Sequence, residues 1–373
     1  MPADKTHQRA AQILERTGPD LPADAVMREM FSTWKRGTPA EKRAVARAVF
    51  AHSRWQGWLD ADDPMIKQIA AALTHQRQFD QDPESYRTDD LAAHAVPAWV
   101  HDQIDFTPAE LRALQTEPVL WIRARSNHTL DTAKTLKPSE PAPAPADTTG
   151  FRYLGTDDLY RTPGFKKGHF EIQDLGSQLI GHACAPQPGE TWWDTCCGEG
   201  GKTLHLADLM QGKGLIWASD RSNRRLARLK QRTARAEVFN YRAINWNGGE
   251  YPPTKTKFDG ILIDAPCSGV GTWRRNPHAR WTTSLTDVHE LAVIQRQLLT
   301  NVANSLKPGG RLIYAVCTTT RSETTAVADA FTTAHPELEP LSLLDRGPQV
   351  FLKPAEWNAN GMFLAGWKRA SNQ

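Results

Sequence analysis

The spacing of apolar residues changes along the chain and divides it into regions. Over roughly the first hundred residues it is helical, as in "TPAEKRAVARAVF" and "PMIKQIAAALTHQRQF". In the first of these stretches, Thr38, Pro39 and Glu41 have the spacing of a capping box with proline at the first helical position. These patterns predict a helical N-terminal region.

A strand-like period begins at "PVLWIRARSN", where Leu120, Ile122 and Ala124 fall on one face. The following stretch, "LKPSEPAPAPADTTG", is rich in proline and alanine, and we expect a stiff, exposed connection without a packed core.

Strand and helix patterns alternate from there to the end. Strands are predicted at "TWWDTCC", "GLIWASD", "FNYRAIN", "FDGILID" and "GRLIYAVC", and two late strands at "QVFLKP" and "GMFLAGWK". Such alternation predicts an α/β fold with a doubly wound parallel sheet, whose ligand site lies at the carboxyl ends of the strands. Trp192 and Trp193 are expected in the core. With 373 residues, too many for one typical core, we expect domains at 1–90 (helical), 91–168 (small α/β linker) and 169–373.

Composition adds few constraints. The mean hydropathy is −0.54, the N-terminus is charged and lacks an apolar signal core, and no apolar run reaches membrane-spanning length. These features predict a cytoplasmic protein with no membrane partner. The 5 cysteines are odd in number and form no C-x-x-C pair, so we expect thiols rather than disulfides and no metal site. The net charge of +3 permits a polyanionic partner without requiring one.

Two predicted helices carry arginines at helical spacing. Arg43, Arg47 and Arg54 form the first stripe, for which a solvated face is the favoured interpretation over phosphate binding. The second stripe leaves both interpretations open, and its members are Arg221, Arg225, Arg228, Arg232 and Arg235.

The stretch "WWDTCCGEGGKT" is a strand followed by a glycine-rich turn and a helix. It is not a phosphate-binding P-loop, because Cys196 occupies the position of an essential glycine. Asp194 precedes the turn, and Asp220 ends the next strand, where a carboxylate can bond a ribose. We therefore expect a nucleoside-like cofactor without a triphosphate, S-adenosyl-L-methionine.

Two further strands end close to a thiol, at Cys267 and at Cys317. A thiolate adds readily to electron-poor carbon. Carbon 5 of cytosine becomes nucleophilic once something has added at carbon 6, so two thiols suit two steps, addition and release. Asp264 would stabilise a protonated ring nitrogen as the adduct forms.

The motifs "DTCCGEGGKT", "DAPCSGVGTWRRNPHARW" and "LIYAVCTTTRSE" together resemble the Fmu/Sun family of RNA cytosine carbon-5 methyltransferases. The resemblance is clear over 170–373 and faint over the N-terminal helices, which resemble the RNA-binding extension of bacterial members. It implies a Rossmann-like class I S-adenosylmethionine-dependent methyltransferase sheet, S-adenosyl-L-methionine as cofactor and RNA as partner, with ribosomal RNA favoured. We expect a monomer.

The resemblance also implies roles for single residues. Cys317 resembles the nucleophile, Cys267 the thiol that releases product, and Asp264 the aspartate that faces the cytosine. Lys202 and Arg275 match positions that contact RNA. The implied cofactor contacts are Cys196, Cys197, Gly198, Glu199, Gly200, Gly201, Lys202, Asp220, Asn245 and Asp264.

The chain departs from the family pattern at three places. Glu199 replaces a proline, Val316 replaces a threonine, and Asn245 or Asn247 stands where an aspartate is common. Two alternatives stay open: a methyltransferase that acts on transfer RNA, because the motifs are shared, and a catalytically silent RNA-binding assembly factor, which Glu199 and Val316 alone support.

Overall fold

The computed structural model describes residues 3–371. Residues 1–2 and 372–373, the ends of the predicted first and last domains, lie outside the described residues. The helices are α1 (Ala3–Leu14), α2 (Ala23–Thr33), α3 (Pro39–Trp55), α4 (Met65–Gln81), α5 (Thr88–His94), α6 (Pro108–Gln115), α7 (Thr129–Thr135), α8 (Pro163–Lys166), α9 (Leu175–Cys184), α10 (Gly201–Leu209), α11 (Asn223–Arg235), α12 (Ala279–Thr282), α13 (Leu285–Ala303), α14 (Thr325–Ala334) and α15 (Pro354–Trp357). The strands are β1 (Leu120–Ala124), β2 (Ser139–Pro141), β3 (Gly150–Tyr153), β4 (Phe170–Ile172), β5 (Thr191–Asp194), β6 (Leu215–Asp220), β7 (Tyr241–Asn245), β8 (Phe258–Asp264), β9 (Leu306–Val316), β10 (Leu338–Pro340), β11 (Gln349–Leu352) and β12 (Met362–Arg369).

The chain divides into two compact units. The first consists of Met1–Pro118 and Gly269–Asp287, and the second of Val119–Ser268 and Val288–Gln373. None of the helices within residues 3–371 combines the length and the apolar character needed to cross a membrane.

The first unit is helical, as its sequence pattern predicts. Helix α3 begins with the predicted capping box, in which the Thr38 side chain accepts a bond from the Glu41 N–H and the Glu41 carboxylate accepts one from the Thr38 N–H. The expectation of a solvated arginine stripe on this helix is wrong for Arg54, which is buried and donates to the Gln76 side chain. Arg47 stays at the surface and pairs with Glu117.

The returning segment Gly269–Asp287 is built into this helical unit. Trp273 is completely buried in an apolar cluster that includes Val100 and Leu114. The buried Arg280 guanidinium donates to three main-chain carbonyls, those of Arg54, Ala95 and Leu114. Burial lowers the pKa of Arg280 to about 9, and the three carbonyl bonds compensate part of the cost of burying its charge.

The second unit contains a small antiparallel sheet with the strand order β2-β3-β1-β4. The predicted strand at Leu120–Ala124 is confirmed as β1. The Pro/Ala-rich stretch is mostly exposed and has no core of its own, as expected, but part of it forms β2, and Ala142 and Ala146 are buried in the core of the second unit. Small side chains at these two positions allow close packing that the composition alone did not indicate.

The main sheet has the order β10-β12-β9-β8-β5-β6-β7, with β11 paired to β12. Strands β5 to β9 pair with one another in parallel, which confirms the predicted doubly wound sheet, whereas β12 runs antiparallel to β9. Trp192 and Trp193 are completely buried in the clusters on its two faces, as expected. The strand order reverses between β5 and β8, and this places a ligand crevice outside their carboxyl ends.

Candidate active site

The glycine-rich turn between β5 and α10 is packed against α11 on one side and open on the other. Gly198 and Gly200 have φ of +56° and +86°, the left-handed region that favours glycine. A Cβ on Gly200 would lie 2.2 Å from Cδ1 of Leu229 in α11, whereas nothing lies within 4 Å of one on Gly198. The turn is therefore packed tightly on one side and open at Gly198.

Asp220, at the end of β6, ties this turn to the next strand. Its Oδ2 accepts from the Gly198 N–H at 3.0 Å and its Oδ1 from the Ser222 N–H at 2.7 Å. The Asn245 side-chain amide donates to the main-chain carbonyls of Asp220 and Arg221 at 3.2 and 3.1 Å. The structure thus brings three predicted cofactor positions, Gly198, Asp220 and Asn245, onto one bonded network.

Asp194 occupies a different environment, although it also ends a strand. It is completely buried, and the Thr203 hydroxyl donates to its Oδ2 at 2.6 Å, while its Oδ1 has no hydrogen-bond partner. Burial raises the pKa of Asp194 to about 7. The bond to Thr203 joins the end of β5 to the first turn of α10, so Asp194 connects the two elements that flank the glycine-rich turn.

Lys202 and Asp264 form an ion pair at the carboxyl ends of β5 and β8. The Lys202 Nζ lies 2.6 Å from Asp264 Oδ2 and donates to the Ser177 hydroxyl at 3.2 Å. Burial lowers the pKa of Lys202, but the Asp264 carboxylate, with Cys317 and Asp194, outweighs burial and leaves the pKa above its usual value. The ammonium group is thus held in its charged form and interacts favourably with a thiolate at Cys317.

The two strand-end thiols meet at the same edge. The Sγ atoms of Cys267 and Cys317 are 3.1 Å apart, and both residues are partly exposed. This follows from the register of adjacent parallel strands, in which Asp264 of β8 lies opposite Ala315 of β9. The sulfurs of two residues separated by 50 positions in the sequence are therefore in direct contact.

The arginines of α11 form ion pairs with acidic residues of the second unit. Arg232 and Arg235 both pair with the buried Glu171, and Arg225 lies 3.8 Å from Asp220. Arg228 pairs with Glu199 at 3.4 Å. Four arginines of this stripe therefore have acidic partners within the second unit, although Arg225 and Arg228 remain exposed, as does Arg221.

Two departures from the family pattern are accommodated by their surroundings. The Glu199 carboxylate contacts Arg228, and its main-chain carbonyl accepts from Arg232. Val316 is completely buried in β9, opposite Phe363 of β12. Neither substitution interrupts the contact between Cys267 and Cys317.

Arg275, the other predicted RNA contact, belongs to the first unit, and its side chain is exposed.

The sequence pattern did not single out two buried polar residues of the second unit, Gln295 and Glu323, which bond the loops carrying the thiols. Glu323 has a signal in retrospect, because it closes the quoted stretch "LIYAVCTTTRSE". Gln295 lies within the long helix α13 and has none.

Within residues 3–371, no group of three or more His, Cys, Asp or Glu side chains is arranged to hold a metal ion.

The model of a known protein family, described as 16S rRNA methyltransferase RsmB/F, matches residues 182–368. The chain belongs to this family. The resemblance inferred from the motifs is thereby confirmed, and the main sheet is that of Rossmann-like S-adenosylmethionine-dependent methyltransferases.

Curated relatives agree with this RsmB/F assignment, and a solved structure shares the fold. The chain is 33% identical over 237 residues to a probable ribosomal RNA small subunit methyltransferase B of Synechocystis, covering 59% of the chain and 52% of the relative. It is 37% identical over 218 residues to the protein of that name in Bacillus subtilis, covering 55% and 49%. The chain thus spans about half the length of these curated relatives. The crystal structure of PH0851 aligns over 99% of both chains with a TM-score of 0.80 at 22% identity, which shows the shared fold.

Proposed function

We propose that this RsmB/F-family chain methylates carbon 5 of a cytosine in 16S ribosomal RNA through a transient bond between a cysteine and the base. The observation that carries the proposal is the contact of the Cys267 and Cys317 thiols, 3.1 Å apart, on the sheet edge that also bears the Lys202–Asp264 ion pair. A thiolate beside an ammonium group, with a second thiol in reach, suits an addition followed by an elimination.

The glycine turn and its neighbours fit S-adenosylmethionine. The open side of Gly198 allows close approach of a ligand to the backbone, and Asp220 is fixed beside it with lone pairs left to accept bonds from a ribose. In this proposal the backbone from Cys196 to Gly201 and the Asp220 carboxylate hold the cofactor, and Asn245 supports the Asp220 end. When bound, S-adenosylmethionine supplies an electrophilic methyl group.

The remaining steps are addition to the base, stabilisation of the adduct and release of the product, and we assign them to the two thiols and the ion pair. The Cys317 thiolate adds to carbon 6 of the cytosine, the electron pair of the carbon 5–carbon 6 double bond forms a carbon 4–carbon 5 double bond, and ring nitrogen 3 takes up a proton from solvent. Asp264, oriented by Lys202, hydrogen-bonds the protonated ring nitrogen and favours the adduct over the free base. After methylation, Cys267 assists removal of the proton from carbon 5, the double bond re-forms, and the Cys317 sulfur leaves carbon 6.

The target base has to leave its stack to reach a thiol at a strand end, so we propose an unstacked cytosine. We assign the exposed Arg275, together with the N-terminal helices, to phosphate contacts. We further propose that the enzyme works as a monomer in the cytoplasm, where ribosomal RNA is matured.

Ribosomal RNA is preferred to transfer RNA because the matching family and both relatives carry ribosomal names. An active enzyme is preferred to a silent assembly factor, which only Glu199 and Val316 suggested. Glu199 pairs with Arg228, and Val316 packs in the core, so neither departure disturbs the site.

The test is incubation of the purified protein and S-adenosylmethionine with unmodified 16S ribosomal RNA or transfer RNA, followed by nucleoside mass spectrometry. We expect 5-methylcytidine in the ribosomal RNA alone, and none with Cys317→Ala. Methylation of transfer RNA would support the first alternative. Absence of both methylation and S-adenosylmethionine binding in calorimetry would support the second.

A further inference from the structure

The buried carboxylate of Glu323 lies between the two loops that carry the thiols. Glu323 has no exposed surface and stands just before α14. Its Oε1 accepts from the Ser268 N–H at 2.9 Å, and its Oε2 accepts from the Ser268 hydroxyl at 2.5 Å. The residue after Cys267 is therefore bonded twice to one carboxylate.

The same carboxylate also holds the loop that follows Cys317. The Thr320 hydroxyl donates to Glu323 Oε2 at 2.8 Å. The Thr318 and Thr320 hydroxyls are 3.2 Å apart, and the Ser268 hydroxyl is 3.2 Å from that of Thr318. Three hydroxyls and one carboxylate thus link the chain after Cys267 to the chain after Cys317.

Gln295 of α13 completes the arrangement from the other side. Its amide nitrogen donates to Glu323 Oε1 and to the Pro266 carbonyl, both at 3.0 Å. Its amide oxygen is 3.0 Å from the Tyr314 hydroxyl, and Gln295 and Tyr314 are fully buried. The residues on both sides of Cys267 are therefore held, Pro266 by Gln295 and Ser268 by Glu323.

We propose that Glu323 is a positioning residue that sets the spacing of the Cys267 and Cys317 sulfurs. The assignment rests on the proposed function, in which the thiols act in turn on one base. A displacement of either loop by about 1 Å would misplace a reacting sulfur, and errors of that size cost about 100-fold in rate. Glu323 does not touch the base; it acts through the two loops.

The direct test measures the thiol spacing without RNA or cofactor. One thiolate attacks oxidised glutathione and releases a glutathione thiolate, which gives a mixed disulfide. The second thiolate then attacks the protein sulfur of the mixed disulfide, releasing another glutathione thiolate and closing a Cys267–Cys317 disulfide. Because closure is intramolecular, its rate depends on how the two sulfurs are held. Mass spectrometry of alkylated peptides separates the mixed from the closed species.

In the wild-type protein we expect rapid closure. Glu323→Ala should slow closure by at least about ten-fold and lower kcat for methyl transfer with little change in KM for RNA. Glu323→Gln should slow it by only about three-fold, since the Gln oxygen can still accept from the Ser268 N–H and from Gln295. The matched control is Glu190→Gln, which alters a partly buried carboxylate paired with Arg311 before the start of β5 and should close at the wild-type rate.

Closure at the wild-type rate in a folded Glu323→Ala protein would overturn the proposal. If that variant does not fold, Ser268→Ala and Glu323→Gln decide: the proposal fails if neither slows closure. Normal closure in a wild-type protein that transfers no methyl group would refute the proposed function instead, so the two failures are distinguishable.

Discussion

Two pairs of cysteines lie near the carboxyl edge of the main sheet, and their environments differ. Cys196 and Cys197 are neighbours in the glycine turn, where burial raises the pKa of Cys196 to about 12 and the pKa of Cys197 further still. Cys267 and Cys317 are separated by 50 positions, yet their sulfurs touch; both residues are partly exposed, as is Cys196, but Cys317 interacts with the Lys202 ammonium group.

The two pairs differ in the charges that surround them, and the nearby charge decides how readily a thiol ionises. In the turn, the negative charge of Asp194 adds to burial and keeps the thiols protonated. Cys197 packs against Leu226 and Leu229 like a small hydrophobic residue. At the end of β9, the Lys202 ammonium group interacts with Cys317, and a nearby cation favours the thiolate form.

The largest expected difference is in reactivity toward an alkylating reagent. At pH 8 and in the folded protein, iodoacetamide should modify Cys317 or Cys267 at least about 100-fold faster than it modifies the other three cysteines, because a thiolate is the reactive species. The measurement is a time course of labelling for each cysteine by peptide mass spectrometry.

A denatured sample provides the control, since all five cysteines should then react at similar rates. Faster labelling of Cys196 than of Cys317 in the folded protein would remove the basis of the comparison.

A smaller effect should appear in the pH dependence of stability. The pKa of Asp194 is raised to about 7 in the folded protein, so the folded state holds a proton that the unfolded state has lost. The stabilising contribution of this proton is complete below the unfolded pKa near 4 and is lost as the pH rises to about 7, with a slope of at most about 1.4 kcal/mol per pH unit.

Asp194→Asn should remove this slope, because an amide can still accept from Thr203 but does not titrate. Urea unfolding at a series of pH values between about 4 and 7 would compare the two proteins. Identical pH profiles for wild type and variant would show that Asp194 titrates as an ordinary carboxylate and that burial does not raise its pKa.

The smallest expected effect is that of Cys197→Ala. Loss of one buried sulfur should lower the free energy of unfolding by about 1 kcal/mol, as measured by urea denaturation. If methyl transfer fell more than about ten-fold while stability stayed unchanged, the turn thiols would belong to the chemistry and the contrast between the pairs would disappear.

Much of the second unit could be predicted from the sequence, because strand patterns and motifs are local. The strands from β5 to β9 appear where apolar runs end at polar residues, and parallel neighbours necessarily bring those ends together. The contact between Cys267 and Cys317 follows from that rule, and so does the position of Asp264 beside the end of β5.

Other features depend on partners distant in the sequence and could not be predicted. Arg54 carries the spacing of a surface residue but is buried against Gln76. The spacing of the α11 arginines leaves phosphate binding and a solvated flank equally open, and their acidic partners, Glu171 among them, are distant in the sequence. Glu323 and Gln295 matter only through the loops that they bond.

The bond between the Cys317 sulfur and carbon 6 of a cytosine is the central claim, and one measurement tests it directly. Cys267→Ala, incubated with S-adenosylmethionine and the RNA substrate, should accumulate a covalent protein–RNA adduct that survives denaturing electrophoresis. Digestion and mass spectrometry should locate the modified nucleotide on Cys317, and the double variant with Cys317→Ala should form no adduct. Sustained turnover of Cys267→Ala without any adduct, or an adduct on another residue, would contradict the account.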